Sequence, residues 1–427
     1  MNKWIKYLIR LKVAVAILAA FSPFVHPHII RQTDTMAVAL RYWMRWTLET
    51  DLQYPLLPAV LTAGDSYGIT PMEFPFLNLI TAPFFALGAD WGKTLSALFV
   101  IILYLSLTYA LSRVWRGIKL FGVDAGEAIW LMLIFGVSQM YWGRFMPDYL
   151  AFSLVLLAVG LSFKEINIKA SLPLVALGLL IKPPAIIAMG ILLIEPKKLL
   201  KHMLWIIPAF IVCILYYTKG IDFIRSVSDH HAYFKVEFRN PIESLINFIS
   251  NPIKIAKLIY KDLFTSFLIF PMGGWMLWRV FKNRSVKYKG LIGIFFLQIL
   301  GIAMLNGDHS FIHDYYFVGA SFSTAIIFLL FLKLAPKSLI NICLLILTFY
   351  QLERGLYETR AVFGPNHWKE CARIIETGTL KDIDRIDNPK KNYPTEGLCL
   401  GKIQNSKKSN VFVDIQGSKV IIKDKKE

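Results

Sequence analysis

The feature that most constrains this chain is a series of long apolar segments separated by short loops rich in lysine and arginine. Of its 427 residues 56% are hydrophobic and only 18% are charged, yet the formal net charge is +18. Positive charge on so apolar a chain is expected when basic loops flank membrane-spanning helices. The composition is too apolar for an ordinary soluble enzyme, and the aromatic content of 14% excludes a disordered chain. We therefore predict an all-α polytopic membrane protein.

The apolar segments predict about eleven transmembrane helices, because a membrane helix needs about 20 mostly apolar residues. The first, over 13–25, follows a basic flank of Lys3, Lys6, Arg10 and Lys12, and it is predicted to be an uncleaved helix with its N-terminus in the cytoplasm. The others are predicted at 94–112, 125–142, 149–163, 171–182, 185–194, 203–218, 263–281, 291–306, 315–332 and 339–351. The shorter apolar segment 74–87 is predicted to be a helix at the outer membrane interface.

The basic loops support this topology, because cytoplasmic loops carry the excess of lysine and arginine. Every second loop is basic, with Arg113, Arg116 and Lys119, then Lys164 and Lys169, Lys197, Lys198 and Lys201, Lys282, Arg284, Lys287 and Lys289, and Lys333 and Lys337. The remaining loops are predicted to lie outside, the first being a juxtamembrane loop over about 26–93. Residues 1–352 then form the membrane domain, and residues 353–427 form a small α/β extracytoplasmic domain.

The C-terminal domain is predicted to contain a β-hairpin of residues 410–415 and 419–423. Its Cys371 and Cys399 either form a disulfide or remain as free thiols, whereas Cys213 and Cys343 fall in predicted spans.

Three carboxylates occur at the outer face close to helix starts: Asp34, Glu73 and Asp148. Carboxylates so close to hydrocarbon are costly, so they are expected to be paired, hydrated or functional. Asp34 either caps a helix that begins near Thr35 or activates an acceptor nucleophile as a base. Glu73 and Asp148 each adjoin a proline at the start of an apolar helix, where the helix dipole favours a negative charge. A divalent cation held by paired carboxylates is the remaining alternative.

Cationic and aromatic residues are predicted at the same face. The prolines after Lys182 interrupt an apolar stretch, and this lysine either snorkels to the headgroups or contacts a lipid phosphate. His313 lies four residues after His309, but the segment lacks the glutamate of a metalloprotease motif. Tyr315 and Tyr316 are either interfacial aromatics or a stacking surface for a sugar or prenyl chain. The sequence contains no Walker-type phosphate loop and no nucleic-acid-binding module.

In this order, these segments resemble the membrane-embedded glycosyltransferase C superfamily, especially bacterial protein mannosyltransferases and the lipid A aminoarabinose transferase. The resemblance covers roughly the first 330 residues. Its motifs are Arg31-Gln32-x-Asp34-Thr35, Glu73-Phe74-Pro75, Arg144-Phe145-Met146-Pro147-Asp148, Lys182-Pro183 and His313-Asp314-Tyr315-Tyr316. The mannosyltransferases have Asp-Glu in the first loop, where this chain has Asp34-Thr35.

The resemblance implies an enzyme of the cytoplasmic (inner) membrane that transfers a sugar from a polyprenyl-phosphate carrier to a glycan, lipid or protein acceptor at the outer face. Asp34, Glu73 and Asp148 would be the catalytic carboxylates. Arg31, Arg144, Lys182, His313, Tyr315 and Tyr316 would bind the substrates. The rival class is a transporter or flippase for a polyprenyl-linked glycan, which ionisable residues within the spans and inverted repeats would favour.

Overall fold

The computed structural model describes residues 2–21, 29–48, 54–59, 69, 71–166, 168–227, 240–259, 263–265, 269–283, 286–307 and 314–359, and three strands at 383–387, 411–416 and 419–424. Most of this described chain is helical. The helices of the N-terminal half are α1 (Lys3–Ala20), α2 (Ile29–Leu48), α3 (Phe76–Thr81), α4 (Ala89–Trp115), α5 (Ala125–Leu131), α6 (Ser138–Tyr141), α7 (Asp148–Phe163) and α8 (Ile168–Ile181). Those that follow are α9 (Pro196–Leu215), α10 (Ile221–Ser226), α11 (Pro241–Ile249), α12 (Pro252–Leu258), α13 (Ile269–Asn283), α14 (Val286–Asn306), α15 (Ser321–Leu334) and α16 (Lys337–Thr359).

Tighter or wider helical turns extend several of these elements. 3-10 helices cover Ala82–Leu87, Pro183–Ile194 and Asp314–Ala320, and a π-helical turn covers Tyr216–Gly220. Two short strands, β1 (Lys119–Leu120) and β2 (Val123–Asp124), form a small antiparallel hairpin between α4 and α5.

Five helical segments in the described residues are long and apolar enough to cross a membrane: Ala89–Trp115, Ile206–Ser226, Lys289–Asn306, Tyr315–Leu334 and Lys337–Thr359. Shorter apolar helices are Phe76–Leu87, Asp148–Phe163, Lys169–Ile181 and Pro183–Ile194. A helical membrane protein is therefore consistent with the structure, while the count of eleven spans stays a prediction.

The centre of the bundle is formed by α7 and α15, whose side chains are buried on all sides of the helix. Helices buried all round are expected in the interior of a membrane bundle. Around α7 pack α4, α8 and the 3-10 helix Pro183–Ile194. The candidate site lies where α7 begins and α8 ends.

Several loops that are predicted to be cytoplasmic from their basic residues also contact one another in the structure. The Lys333 ammonium donates to the carbonyl of Gly122 at 2.7 Å, and the Lys164 ammonium donates to the carbonyl of Arg113 at 3.3 Å. These contacts bring three of the predicted cytoplasmic loops to one end of the bundle. Which side of a membrane that end faces stays a prediction.

The first helix differs from its predicted bounds of 13–25, since α1 begins at Lys3 and ends at Ala20. Its buried residues recur every three or four positions, at Ile5, Leu8, Ile9, Lys12, Val15, Ala16, Ala19 and Ala20. Lys12 therefore lies on the packed face of the helix. The expectation that Lys12 belongs to a basic flank before the helix is wrong.

The predicted single span over 125–142 is also wrong, because α5 ends at Leu131 and α6 begins at Ser138. Between them Gly136 has a φ of +74°, which a side chain would strain, and its N–H donates to the Thr265 hydroxyl at 3.1 Å. Such a break inside a membrane bundle requires partners from neighbouring protein groups. The amide of Gln351 supplies another by donating to the carbonyl of Ile134 at 2.8 Å.

Proline positions predicted the starts of several elements correctly. Pro75 directly precedes α3, Pro147 directly precedes α7, and α8 ends before Lys182, whose backbone is extended. Proline is favoured at helix starts because it has no N–H to satisfy. The segment 74–87 is helical, as α3 followed by a 3-10 helix, and its position at the outer membrane interface stays a prediction.

The C-terminal region contains a three-stranded sheet of β3 (Ile383–Asp387), β4 (Val411–Gln416) and β5 (Lys419–Asp424). Strands β4 and β5 pair antiparallel with Gln416 opposite Lys419, so the predicted hairpin is confirmed. β3 joins β4 in parallel. Cys371 and Cys399 lie outside the described residues.

Candidate functional site

Two of the predicted carboxylates meet on one lysine. The Lys182 ammonium forms an ion pair with the Glu73 carboxylate and lies 3.5 Å from Oδ1 of Asp148. Side-chain exposure is 5% for Lys182, 3% for Asp148 and 19% for Glu73. With two carboxylates and one ammonium, the cluster carries a formal charge of −1 in a nearly dry environment. We call these three residues the acidic cluster.

Each member of the acidic cluster is placed by a helix boundary. Asp148 is the first residue of α7, where the positive end of the helix dipole stabilises a carboxylate. Lys182 occupies the break between α8 and the next 3-10 helix, so its side chain leaves the apolar stretch at that point. Glu73 precedes α3 in a segment held against α8, since the Phe74 N–H donates to the carbonyl of Leu180 at 3.2 Å.

Two tyrosines cover the ammonium. Lys182 Nζ lies 5.0 Å from the ring centroid of Tyr315 and 5.2 Å from that of Tyr316. At these distances the negative faces of the rings attract the ammonium. The rings contact each other, with centroids 4.7 Å apart. Five sequence-predicted residues, Glu73, Asp148, Lys182, Tyr315 and Tyr316, thus converge in one place.

Asp34 lies in α2, five residues after the helix begins at Ile29. The alternative that Asp34 caps a helix starting near Thr35 is therefore wrong, since a capping residue precedes the first turn. The residue after Asp34 links α2 to α3, because the Asn78 side-chain amide on α3 donates to the carbonyl of Thr35. The helix that carries Asp34 is thus docked on the element that directly follows Glu73.

The second half of α2 is held by residues 54–59. The Tyr42 hydroxyl donates to the carbonyl of Leu56 at 2.9 Å, and the Trp46 indole donates to the carbonyl of Pro55 at 3.0 Å. Burial raises the pKa of Tyr42 above its ordinary value, so this phenol stays protonated and available as a donor. These bonds hold the second half of α2 against residues 54–59.

Arg144 has a partner that the sequence did not predict. Its guanidinium lies 2.8 Å from Oε2 of Glu358, and Lys12 Nζ lies 3.4 Å from Oε1 of the same carboxylate. All three residues are buried. We call them the basic cluster, because two cations share one carboxylate. The spacing of Gln351, Gly355 and Glu358 could have indicated that Glu358 is buried, since these residues share one face of a helix. That helix, α16, continues beyond the predicted end of the last span at residue 351.

Three predicted site residues remain untested by side-chain geometry. Arg31 lies on α2, in the first turn, but its side chain and that of Asp34 fall outside what the structure describes. His313 lies outside the described residues altogether. Among described residues, no three His, Cys, Asp or Glu side chains come together as metal ligands. In the acidic cluster the ammonium of Lys182 takes the place between the carboxylates that a cation would occupy.

Comparisons with known proteins give limited similarity. No protein-family model matches the sequence, and no curated protein matches it. Two crystal structures of the Archaeoglobus fulgidus oligosaccharyltransferase are similar at 12% identity. The apo form gives a TM-score of 0.44, and the form tethered with an acceptor peptide containing the NVT sequon gives 0.39. Each alignment covers 96% of this chain and 65% of that chain, so this chain spans about two thirds of the length of that protein.

The fold and the site together define a helical protein with membrane-length apolar helices and a buried cluster of carboxylates at one end of its central helix.

Proposed function

We propose that this protein is an integral-membrane glycosyltransferase that moves a sugar from a polyprenyl-phosphate carrier to a glycan, lipid or protein acceptor. The observation that carries the proposal is the acidic cluster, in which Glu73 and Asp148 converge on Lys182 beside two tyrosines whose rings contact each other. Structural stability alone does not require a buried and a half-buried carboxylate on one buried lysine, because such groups are costly to desolvate. Clusters of charged side chains held largely away from water are typical of functional sites.

The chemistry needs a base, an oriented donor and a stabilised leaving group. In the proposed reaction the acceptor hydroxyl gives its proton to Asp34, and its oxygen forms the new bond to the anomeric carbon of the sugar. The bond from that carbon to the phosphate oxygen breaks, and the polyprenyl phosphate leaves with the electron pair. General-base assistance of this kind contributes on the order of 100- to 10,000-fold in rate.

The remaining site residues bind and orient the substrates. Glu73 and Asp148 accept hydrogen bonds from sugar or acceptor hydroxyls, and Lys182 holds the two carboxylates at a fixed separation. Tyr315 and Tyr316 offer aromatic faces on which a sugar or prenyl unit stacks. Arg31, Arg144 and His313 complete the set of substrate-binding residues. No nucleotide-binding domain is needed, since the lipid tail of such a donor contributes binding energy within the membrane.

The proposed location is the cytoplasmic membrane, with the N-terminus in the cytoplasm and the site and C-terminal domain outside. The support is the alternation of basic loops and the contacts that join Lys333 to Gly122 and Lys164 to Arg113 at one end of the bundle.

The direct test uses the purified protein in lipid vesicles with a panel of polyprenyl-phosphate sugars and an envelope extract as the source of acceptors. We expect one donor to lose its sugar to a product that mass spectrometry identifies. A matched preparation with Asp148→Asn should show much less product. A folded protein that transfers no sugar from any donor would contradict the proposal.

A second candidate, a flippase for a polyprenyl-linked glycan, is favoured by one observation. Lys12 and Glu358 form a buried ion pair between helices α1 and α16, and ionisable groups within membrane helices are typical of transport pathways. Vesicles loaded with a fluorescent polyprenyl-linked sugar separate the two functions. Movement of the lipid between leaflets without bond cleavage would favour the flippase.

A further inference from the structure

The chain between α6 and α7 is buried although it is not helical. Its buried residues are Trp142, Arg144, Phe145 and Met146. Gly143 turns the chain here with a φ of +76°, a conformation that side chains rarely adopt. Irregular backbone inside a membrane bundle needs partners from the surrounding protein. We call residues 142–147 the α6–α7 segment, and it leads directly into Asp148 of the acidic cluster.

Two helices that are distant in the sequence hold the α6–α7 segment. The Tyr104 hydroxyl on α4 donates to the carbonyl of Met146. The Arg144 guanidinium lies 2.8 Å from Oε2 of Glu358 on α16. Within the segment the Met146 N–H donates to the carbonyl of Arg144 at 2.7 Å, so a hydrogen bond also joins the two anchored residues. The backbone just before Asp148 is therefore fixed from two sides.

Tyr104 makes the contacts that lie nearest to Asp148. Its acceptor, Met146, lies two residues before Asp148 in the chain. Its ring contacts the ring of Tyr149, the residue after Asp148, with centroids 5.0 Å apart. Both tyrosines are buried. Tyr104 thus touches the chain on both sides of Asp148.

We propose that Tyr104 is a positioning residue that sets where the Asp148 carboxylate stands relative to Lys182 and a bound substrate. Oδ1 of Asp148 lies 3.5 Å from the Lys182 ammonium, so its place depends on the backbone that carries it. A misplacement of about 1 Å at a reacting site can cost on the order of 100-fold in rate. Asp148 contacts a substrate only under the proposed function, on which this role of Tyr104 rests.

The simpler role of Tyr104 is to satisfy a buried carbonyl, and Thr108 provides the control for that role. Thr108 lies one turn after Tyr104 on α4, and its hydroxyl is hydrogen-bonded to the Tyr149 hydroxyl of α7 at 2.8 Å. Tyr104→Phe and Thr108→Val each remove one buried hydroxyl, so both should unfold at similar, slightly lower denaturant concentrations than the wild type. Of the two changes, Tyr104→Phe is the one that removes a bond to the α6–α7 segment.

The first measurement is the rate of sugar transfer by the purified full-length protein in lipid vesicles. Tyr104→Phe should lower this rate roughly 10- to 100-fold, and Thr108→Val should leave it near the wild-type value. In an Asp148→Asn background, Tyr104→Phe should cause little further loss, because it acts through a carboxylate that is already absent. An equal loss in both backgrounds, or an equal loss in Tyr104→Phe and Thr108→Val, would overturn the proposal.

The second measurement, hydrogen–deuterium exchange of the same full-length proteins in detergent, needs no activity. Peptides that report residues 142–147 should exchange roughly 2- to 10-fold faster in Tyr104→Phe, the factor expected for loss of one hydrogen bond. Exchange should stay at the wild-type rate in Thr108→Val. This measurement also decides the matter where the residual rate of Asp148→Asn is too low to compare. Unchanged exchange in Tyr104→Phe would show that the segment does not depend on Tyr104.

The two measurements also separate failure of this role from failure of the proposed function. Faster exchange in Tyr104→Phe, in a protein whose wild type transfers no sugar, supports the anchoring of the α6–α7 segment by Tyr104 and contradicts the glycosyltransferase. Sugar transfer by a wild-type protein whose Tyr104→Phe variant keeps the normal rate contradicts the positioning role alone.

Discussion

At the scale of single residues, the acidic cluster and the basic cluster each contain unequal numbers of positive and negative side chains. In the acidic cluster one lysine serves two carboxylates, and in the basic cluster one carboxylate serves two cations. The short segment 144–148 contributes Arg144 to one cluster and Asp148 to the other. Counted over these residues alone, the acidic cluster has a formal charge of −1 and the basic cluster one of +1. Substitutions at these residues should therefore have large effects on both activity and stability.

The first prediction concerns Asp34. Asp34→Asn should reduce the rate of sugar transfer on the order of 100- to 10,000-fold, because a neutral amide cannot accept the proton of the acceptor. Folding and donor binding should persist, since the two side chains have nearly the same shape. The measurement is the transfer rate with donor affinity determined in parallel. Asp222→Asn is the matched control, because Asp222 is exposed on α10 and forms a surface ion pair with neighbouring Arg225. A near wild-type rate for Asp34→Asn would remove this residue from the mechanism.

The second prediction concerns Lys182. Lys182→Met keeps the apolar stem but leaves Glu73 and Asp148 without their shared cation, and removing one partner of a buried ion pair costs about 3–5 kcal/mol. We expect a lower free energy of unfolding in detergent, and weaker donor binding because the carboxylates lose their fixed positions.

The control for Lys182→Met is Lys119→Met, which removes an exposed lysine 3.4 Å from Asp124. Exposed pairs contribute about 0–1 kcal/mol, so this variant should unfold like the wild type. Equal stability and equal donor affinity for the Lys182 and Lys119 variants would mean that Lys182 only extends toward the lipid headgroups.

At the scale of elements, helix ends and breaks form the site. The start of α7, the break after α8 and the segment before α3 each contribute one charged side chain. The helix carrying Asp34 is attached to α3 by the bond from Asn78 to the carbonyl of Thr35. Helix ends suit this purpose because the dipole at a helix start favours a carboxylate, as at Asp148.

The third prediction concerns the contact between α1 and α16. Glu358→Gln should lower the free energy of unfolding by about 3–5 kcal/mol, because Lys12 and Arg144 then lose the carboxylate they share. Unfolding in detergent, followed by intrinsic tryptophan fluorescence, measures this. Glu353→Gln on the same helix is the control, since Glu353 is exposed and should tolerate the change. If the two variants unfold alike, the basic cluster does not hold these helices together.

At the scale of the whole molecule, the distribution of charge sets the expected orientation. The fourth prediction is that a single cysteine at Lys419, in the C-terminal hairpin, reacts with a membrane-impermeant reagent in intact cells. A single cysteine at Lys337 should react only after the membrane is permeabilised, because it lies in a predicted cytoplasmic loop. The four native cysteines are replaced by serine beforehand. Protection of the cysteine at 419 in intact cells would contradict the predicted number of crossings.

Features that depend on local sequence were predicted well. Apolar runs, the prolines before α3 and α7, and the Lys182 break set the element boundaries, because helix formation and termination are decided within a few residues. The C-terminal hairpin followed from alternating residues around a short turn. The convergence of Glu73, Asp148, Lys182 and the two tyrosines agreed with the expectation of one shared face.

Only the tertiary structure revealed which charges are paired. Lys12 and Glu358 are separated by 346 positions, and no local pattern relates them. The break between α5 and α6 could not be predicted either, because an apolar run of that length indicates one continuous helix. The backbone groups at the break bond to Thr265 and Gln351, which are distant in the sequence. The prolines at 75 and 147 and the Lys182 break could be placed from the sequence, since these boundaries are decided by neighbouring residues. The packing of distant helices decided the sign of each charged cluster, because a buried charge is defined by the partner that the fold brings to it.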